Sequence, residues 1–203
     1  MIRMGSLKGK WQEGPQAGPG GKGSRSHADW KPAAAYAARM GDSSMATSKQ
    51  TAAQQGLLEQ VAAAAQAAGV FGPVRIEGGM LRCPALASAA PAEFRVFFDA
   101  GKTWVALTTA DRWLSQSIEA DLVHTGDKIE ELLEEELVDL DWNKAWGPTR
   151  LAYEHFRDDH KLYTFRSSVS DAGADAANRI AIALLAYERA FRPLGDMEAD
   201  DED

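Results

Sequence analysis

Residues 127–142, DKIEELLEEELVDLDW, decide how the rest of the chain is read. Ile129, Leu132, Leu133, Leu137 and Leu140 recur on one stripe, while Glu130, Glu131, Glu134, Glu135 and Asp139 fall mostly elsewhere. That is the 3.6-residue period of a helix laid on an apolar support. Asp127 suits the N-cap, and Glu130, three residues on, suits the partner position of a capping box. Working outward, the chain before this helix reads as strands feeding one sheet, and the chain after it as two more strands and a closing helix.

Upstream, Phe94–Phe98 and Thr103–Thr109 combine aromatic and β-branched residues around Asp99-Ala100-Gly101-Lys102 and form the clearest hairpin. Val74–Cys83, VRIEGGMLRC, is a short β element in which Gly78-Gly79 makes either a two-residue hairpin turn or a bulge. Ahead of it, Ser48–Ala68 has helical period, with Thr47 or Ser48 as N-cap, a narrow stripe of Leu57, Leu58, Val61 and Ala65, and Gly69 as the stop. Asp111–Val123 supports two readings. Leu114, Ile118 and Leu122 at i, i+4 and i+8 fit a helix capped by Thr109, whereas alternation at Leu114, Ile118, Ala120 and Leu122 fits a strand. The strand is preferred because it completes a three-stranded meander before the acidic helix.

Downstream, Gly147-Pro148 breaks the chain, and Leu151–Phe156 and Leu162–Val169 form a second hairpin around Arg157-Asp158-Asp159-His160. Ala172–Phe191 closes the domain as a helix capped by Ser170 or Asp171, with Ile180, Leu184, Tyr187 and Phe191 facing inward and Pro193 ending it. The expectation is one α+β domain over residues 47–195. Its mainly antiparallel sheet has about five strands, with helices on one side, in the order α-β-β-β-α-β-β-α. Residues 1–46, centred on GPQAGPGGKGSRS, have the composition of a disordered Gly/Pro-rich basic arm, and residues 196–203 that of a solvated acidic tail. A translation start at Met45 is the other reading of the same change in composition.

At 203 residues the chain is long enough for one full-sized domain and hardly for two. No run approaches the ~20 apolar residues needed to cross a bilayer, so no membrane partner is expected. The single cysteine, Cys83, can form neither an internal disulfide nor a zinc site by itself, which suits a reducing, cytoplasmic setting. The formal charge of −8 is unevenly spread: residues 1–50 hold eight Lys or Arg against three acids, a net of +5, which leaves −13 for the remainder. A body that negative repels phosphate backbones, so nucleic acid is not the expected partner.

No catalytic, cofactor or metal motif stands out. The carboxylates of residues 130–139 lie on a solvated helix face, where nothing separates their pKa values into an acid and a base. His155, Asp158, Asp159 and His160 are close in sequence, but their spacing matches no zinc pattern. Ser115 and Ser117 lack the glycines of a nucleophile elbow. Cys83 reads as a core cysteine. The aromatics say more: Trp104, Trp113, Trp142 and Trp146 with Tyr153, Tyr163 and Phe165 exceed what one core face needs, and surface tryptophan and tyrosine mark protein contacts.

The order of elements, the Trp142-Asn143 pair, the hairpin LAYEHFRDDHKLYTFRSSV and the amphipathic closing helix resemble the YbjN-like proteins, whose fold is similar to that of type III secretion chaperones. The resemblance spans roughly residues 57–194 and implies a dimeric or partner-binding α+β domain without catalysis. The expected function is therefore a non-enzymatic, chaperone-like or regulatory adaptor that meets a protein partner, or a second copy of itself, through a sheet face. Its candidate contact residues are Trp104, Trp113, Trp142, Trp146, Tyr153, Glu131, Glu134 and Glu135. The alternatives are a small metal-binding protein or enzyme using His155, Asp158, Asp159 and His160, and an accessory subunit of a larger assembly.

Overall fold

The computed structural model describes residues 43–195, with side chains from residue 52 onward. The expectations for the N-terminal arm, up to residue 42, and for the tail, residues 196–203, lie outside the described residues. Helix α1 (Ser43–Ala68) leads into six strands, β1 (Arg75–Glu77), β2 (Met80–Pro84), β3 (Ala92–Asp99), β4 (Lys102–Thr109), β5 (Tyr153–Arg157) and β6 (Tyr163–Val169). Helices α2 (Arg112–Thr125) and α3 (Ile129–Asp139) separate β4 from β5, and α4 (Ala176–Phe191) follows β6. The sheet order is β1-β2-β3-β4-β6-β5, and every neighbouring pair is antiparallel.

The α+β class and the helix-flanked antiparallel sheet are as the sequence predicts, with six strands instead of about five. The additional strand comes from Val74–Cys83. Gly78 and Gly79 both have positive φ (60° and 74°), the backbone of a type I′ two-residue turn, so the glycine pair makes a hairpin and not a bulge. The β3–β4 hairpin turns in the same way at Ala100 (φ 49°) and Gly101 (φ 74°). The β5–β6 turn is closed by Asp158, whose backbone N–H donates to Leu162 O at 2.9 Å and whose carboxylate accepts from Leu162 N at 2.9 Å.

Asp111–Val123 is a helix, against the strand preferred from sequence. The Asp111 carboxylate accepts from Leu114 N at 2.9 Å, and Gly126 ends the helix in the left-handed conformation with its N–H on Leu122 O. With both ends capped, the i, i+4 pair Leu114 and Ile118 is buried; the meander argument fails because β6, arriving later in the chain, takes the place beside β4. Other helix ends also differ from expectation. Helix α1 begins at Ser43, so Thr47 and Ser48 lie inside it. Lys128, not Asp127, holds the N-cap of α3, and its side chain makes no cap bond. Helix α4 starts after Asp175, because Asp171 instead accepts a hydrogen bond from Thr103 Oγ1 at 2.8 Å.

One core holds these elements together. Leu58, Val61, Ala62 and Ala65 of α1, Leu114 and Ile118 of α2, Ile129, Leu133 and Leu137 of α3, and Ile180, Leu184, Tyr187 and Phe191 of α4 cover a single face of the sheet. That face presents Leu81, Cys83, Phe94, Val96, Val105, Leu107, Phe165 and Val169. The Ala stripe of α1 sits against α4 (Ala183, Ala186 and Ala190 are all buried), as small residues allow helices to approach closely. Tyr187, fully buried, donates its hydroxyl to Ser167 Oγ at 2.7 Å, so its polar end is satisfied inside the core. Among the described residues no helix is long and apolar enough to cross a membrane.

Candidate functional site

Alternation along the strands sends the remaining side chains to the other face, where no helix contributes among the described residues. The strand register sets them in rows. One row runs Arg82, Arg95, Ala106, Arg166, Glu154; the next runs Phe97, Trp104, Ser168; a third runs Pro84, Glu93, Thr108, Thr164, Phe156. Ala106 is the smallest side chain of the central row, and it is fully covered between Arg95 and Arg166. The Arg166 guanidinium lies 3.8 Å from the Trp104 ring centroid and 4.7 Å from that of Phe156, and it pairs with Glu154 at 2.8 Å and Asp99 at 3.6 Å. On the neighbouring strands, Glu93 holds both Arg95 (2.7 Å) and Arg82 (3.2 Å).

This face is well ordered but incompletely satisfied. The Thr164 hydroxyl and Arg82 Nε are buried and have no hydrogen-bond partner. Buried orphans of this kind are uncommon, because each forgoes its hydration with nothing in return. Trp104 is only 4% exposed, although it is outside the helix-covered core; Arg166 and Lys102 lie over its ring and its indole N–H donates to Asp99 O at 3.3 Å.

The other tryptophans have different surroundings. Trp113, on α2, is 78% exposed. Trp142 is buried and donates to Gly147 O; it meets Trp146 edge-on, with centroids 5.4 Å apart. Trp146 in turn donates to Asp175 Oδ2 at 3.2 Å, so this pair ties the end of α3 to the start of α4. Tyr153 is half-buried on the helix-covered side, where burial pushes its phenol well above the ordinary range and Glu130 and Glu119 add to the shift. Glu131 pairs with Lys128 and Arg150, Glu134 accepts from Thr149 Oγ1 at 2.7 Å, and Glu135 is exposed.

His155 does not join Asp158, Asp159 and His160, and among the described residues no three His, Cys, Asp or Glu side chains are grouped to hold a metal ion. Asp158 closes its own turn, and Asp159 and His160 are exposed at the hairpin tip. His155 instead turns under α2, stacked on Phe165 with centroids 3.9 Å apart. Its Nδ1 is 3.2 Å from Glu119 Oε1, and its Nε2 is 3.5 Å from Ser115 Oγ. Burial lowers its pKa from 6.5, opposed by the Glu119 carboxylate, and the neutral ring then donates from Nδ1 to Glu119 and accepts at Nε2 from Ser115.

Hydroxyl, imidazole and carboxylate thus stand in the order of a catalytic triad, but the other requirements of one are missing. Ser115 is 1% exposed in the first turns of a helix, and its N–H is taken by Asp111 O. A nucleophile needs an approach for the acyl carbon and oxyanion donors beside it. The trio instead fastens α2 to β5. The sequence carried one trace of it, Ser115 and Glu119 one helical turn apart, which becomes visible only once this segment is taken as a helix. Compared with protein-family models, with curated proteins and with solved structures, the chain matches none of them.

Proposed function

We propose that the chain is a non-enzymatic protein-interaction module, chaperone-like in the manner its YbjN-like resemblance implies, which uses the helix-free face of its sheet to pair with a second copy of itself. The observation that carries this reading is the aromatic and guanidinium cluster of Trp104, Arg166 and Phe156 beside the unpartnered Thr164 hydroxyl. Tryptophan and arginine are the residues on which interface energy concentrates. The rows carry both signs of charge, as a face that meets its own copy about a two-fold axis requires. Six strands about 4.8 Å apart, with eight-residue central strands rising ~3.4 Å per residue, span at most roughly 780 Å², close to the ~800 Å² each partner gives a standard interface. A free, buried Cys83 suits action in a reducing, cytoplasmic setting.

The test is light scattering coupled to size exclusion on the full chain, at low and high salt. A dimer that becomes a monomer in Arg166→Glu and in Ser168→Arg, but persists in Trp113→Ser, supports the reading. A wild-type monomer at every concentration, or a dimer moved only by Trp113→Ser, overturns it.

A further inference from the structure

Ten arginines lie between residues 52 and 195, and in a chain with 30 acidic residues seven of them find a carboxylate. Arg75, Arg82, Arg95, Arg150, Arg166, Arg189 and Arg192 are each in an ion pair. Among the described residues three have none. Arg179 is buried and donates to the carbonyls of Ser170 and Ala172. The other two, Arg112 at the start of α2 and Arg157 at the end of β5, come from segments 45 positions apart and open onto the same depression, of about 530 Å³. Ser115, Gln116, Glu119, Tyr163 and Ala110 complete its lining.

We infer that this depression between α2 and the β5–β6 edge is a binding site for a small molecule bearing a carboxylate or phosphate group, held between Arg112 and Arg157. The volume is within the ~300–1,000 Å³ of small-ligand sites. Guanidinium is the side chain suited to a planar carboxylate or a phosphate, which it grips through two parallel N–H donors. Arg157 is pre-positioned, lying over the Tyr163 ring at 5.3 Å with Nε donating to Lys161 O. The exposed Gln116 amide adds a neutral hydrogen-bonding group. The two nearby anions are already engaged, Glu119 with His155 Nδ1 and Asp111 with Leu114 N, so the site keeps two free cations against one lining carboxylate.

The experiment titrates the full chain with inorganic phosphate, phenyl phosphate and benzoate at constant ionic strength, following backbone amide shifts by NMR, with chloride as the reference anion. Saturable shifts centred on residues 112–116, 155 and 157, weakened about tenfold or more in both Arg112→Gln and Arg157→Gln but unchanged in Arg75→Gln, are expected. Both arginines are exposed, so the variants keep the fold, which the unaffected amide spectrum of β3 and β4 verifies. Tighter binding of phenyl phosphate than of benzoate assigns the phosphate group, and the reverse assigns the carboxylate. Shifts no larger than those from chloride, or shifts that survive both substitutions together, overturn the site.

Discussion

The two faces of β4 are equally buried and differently built. Val105 and Leu107 on one side are 0% and 3% exposed, and Trp104 and Ala106 on the other are 4% and 0%. The first pair is covered by helices that arrive from distant parts of the chain. On the opposite side the cover is supplied by long charged side chains, Arg95 and Arg166 from the neighbouring strands and Lys102 from β4 itself. Low exposure therefore does not by itself mark a core residue here. What separates the faces is whether the covering atoms are apolar side chains of packed helices or the stems and guanidinium or ammonium ends of long charged side chains.

The largest difference between the faces should appear on truncation. Phe165→Ala, which empties a site bounded by His155 and Phe191, should cost about 3–5 kcal/mol in urea unfolding. Trp104→Ala should cost less, about 2 kcal/mol, because its covering side chains relax into the space, which partly offsets the loss of the Arg166 and Lys102 cation–π contacts and the indole bond to Asp99 O. Equal losses would break the comparison. Chemical reactivity gives the second largest contrast. Cys83 lies on the helix-covered face, where burial, with Glu93 adding, pushes its thiol up to about 12 from 9.0. Its thiolate fraction at neutral pH should fall about a thousandfold, so a disulfide reagent should modify Cys83 only in denaturant. Rapid labelling of the native chain would mean that the helical layer opens easily.

A pair of hydroxyl deletions sharpens the contrast further. Tyr187→Phe strands Ser167 on the covered face and should cost about 1–2 kcal/mol. Thr164→Val on the helix-free face removes a hydroxyl that already has no partner, and should be neutral or stabilising by up to about 1 kcal/mol in the isolated protein. The smallest effect is expected at the rim of the core. Burial lowers the pKa of His155 in the folded chain below the ordinary 6.5, so the folded state binds fewer protons there than the unfolded state. Its contribution is therefore complete above pH 6.5 and is lost as the pH falls from 6.5 towards the folded value. His155→Gln should flatten that part of the stability profile, and an unchanged profile would show that burial does not shift the ring's titration.

Sequence pattern was informative wherever one local period decided the outcome. The Ile129, Leu133 and Leu137 stripe, the β3–β4 hairpin and the Ile180, Leu184, Tyr187 and Phe191 face of α4 are all buried as their spacing predicts. It was misleading at Asp111–Val123, where the two periods overlap and the preference rested on a guess about which strand lies beside β4. At the candidate sites less was legible. Trp142 and Trp113 are the same residue type, yet one closes the α3–α4 elbow and the other is exposed on α2.

The sequence by itself determined the class of the domain, the β3–β4 and β5–β6 hairpins, three of the four helices and the helix-facing residues of α3 and α4, because periodicity and turn chemistry act over a few residues. Only the tertiary structure decided that β6 lies beside β4, that Arg166 settles on Trp104, that His155 turns to Ser115 and Glu119 and away from Asp158, and that Arg112 and Arg157 face one depression. Those pairings join residues 36 to 66 positions apart, and what fixes them is strand order and register, which no local pattern in the chain specifies.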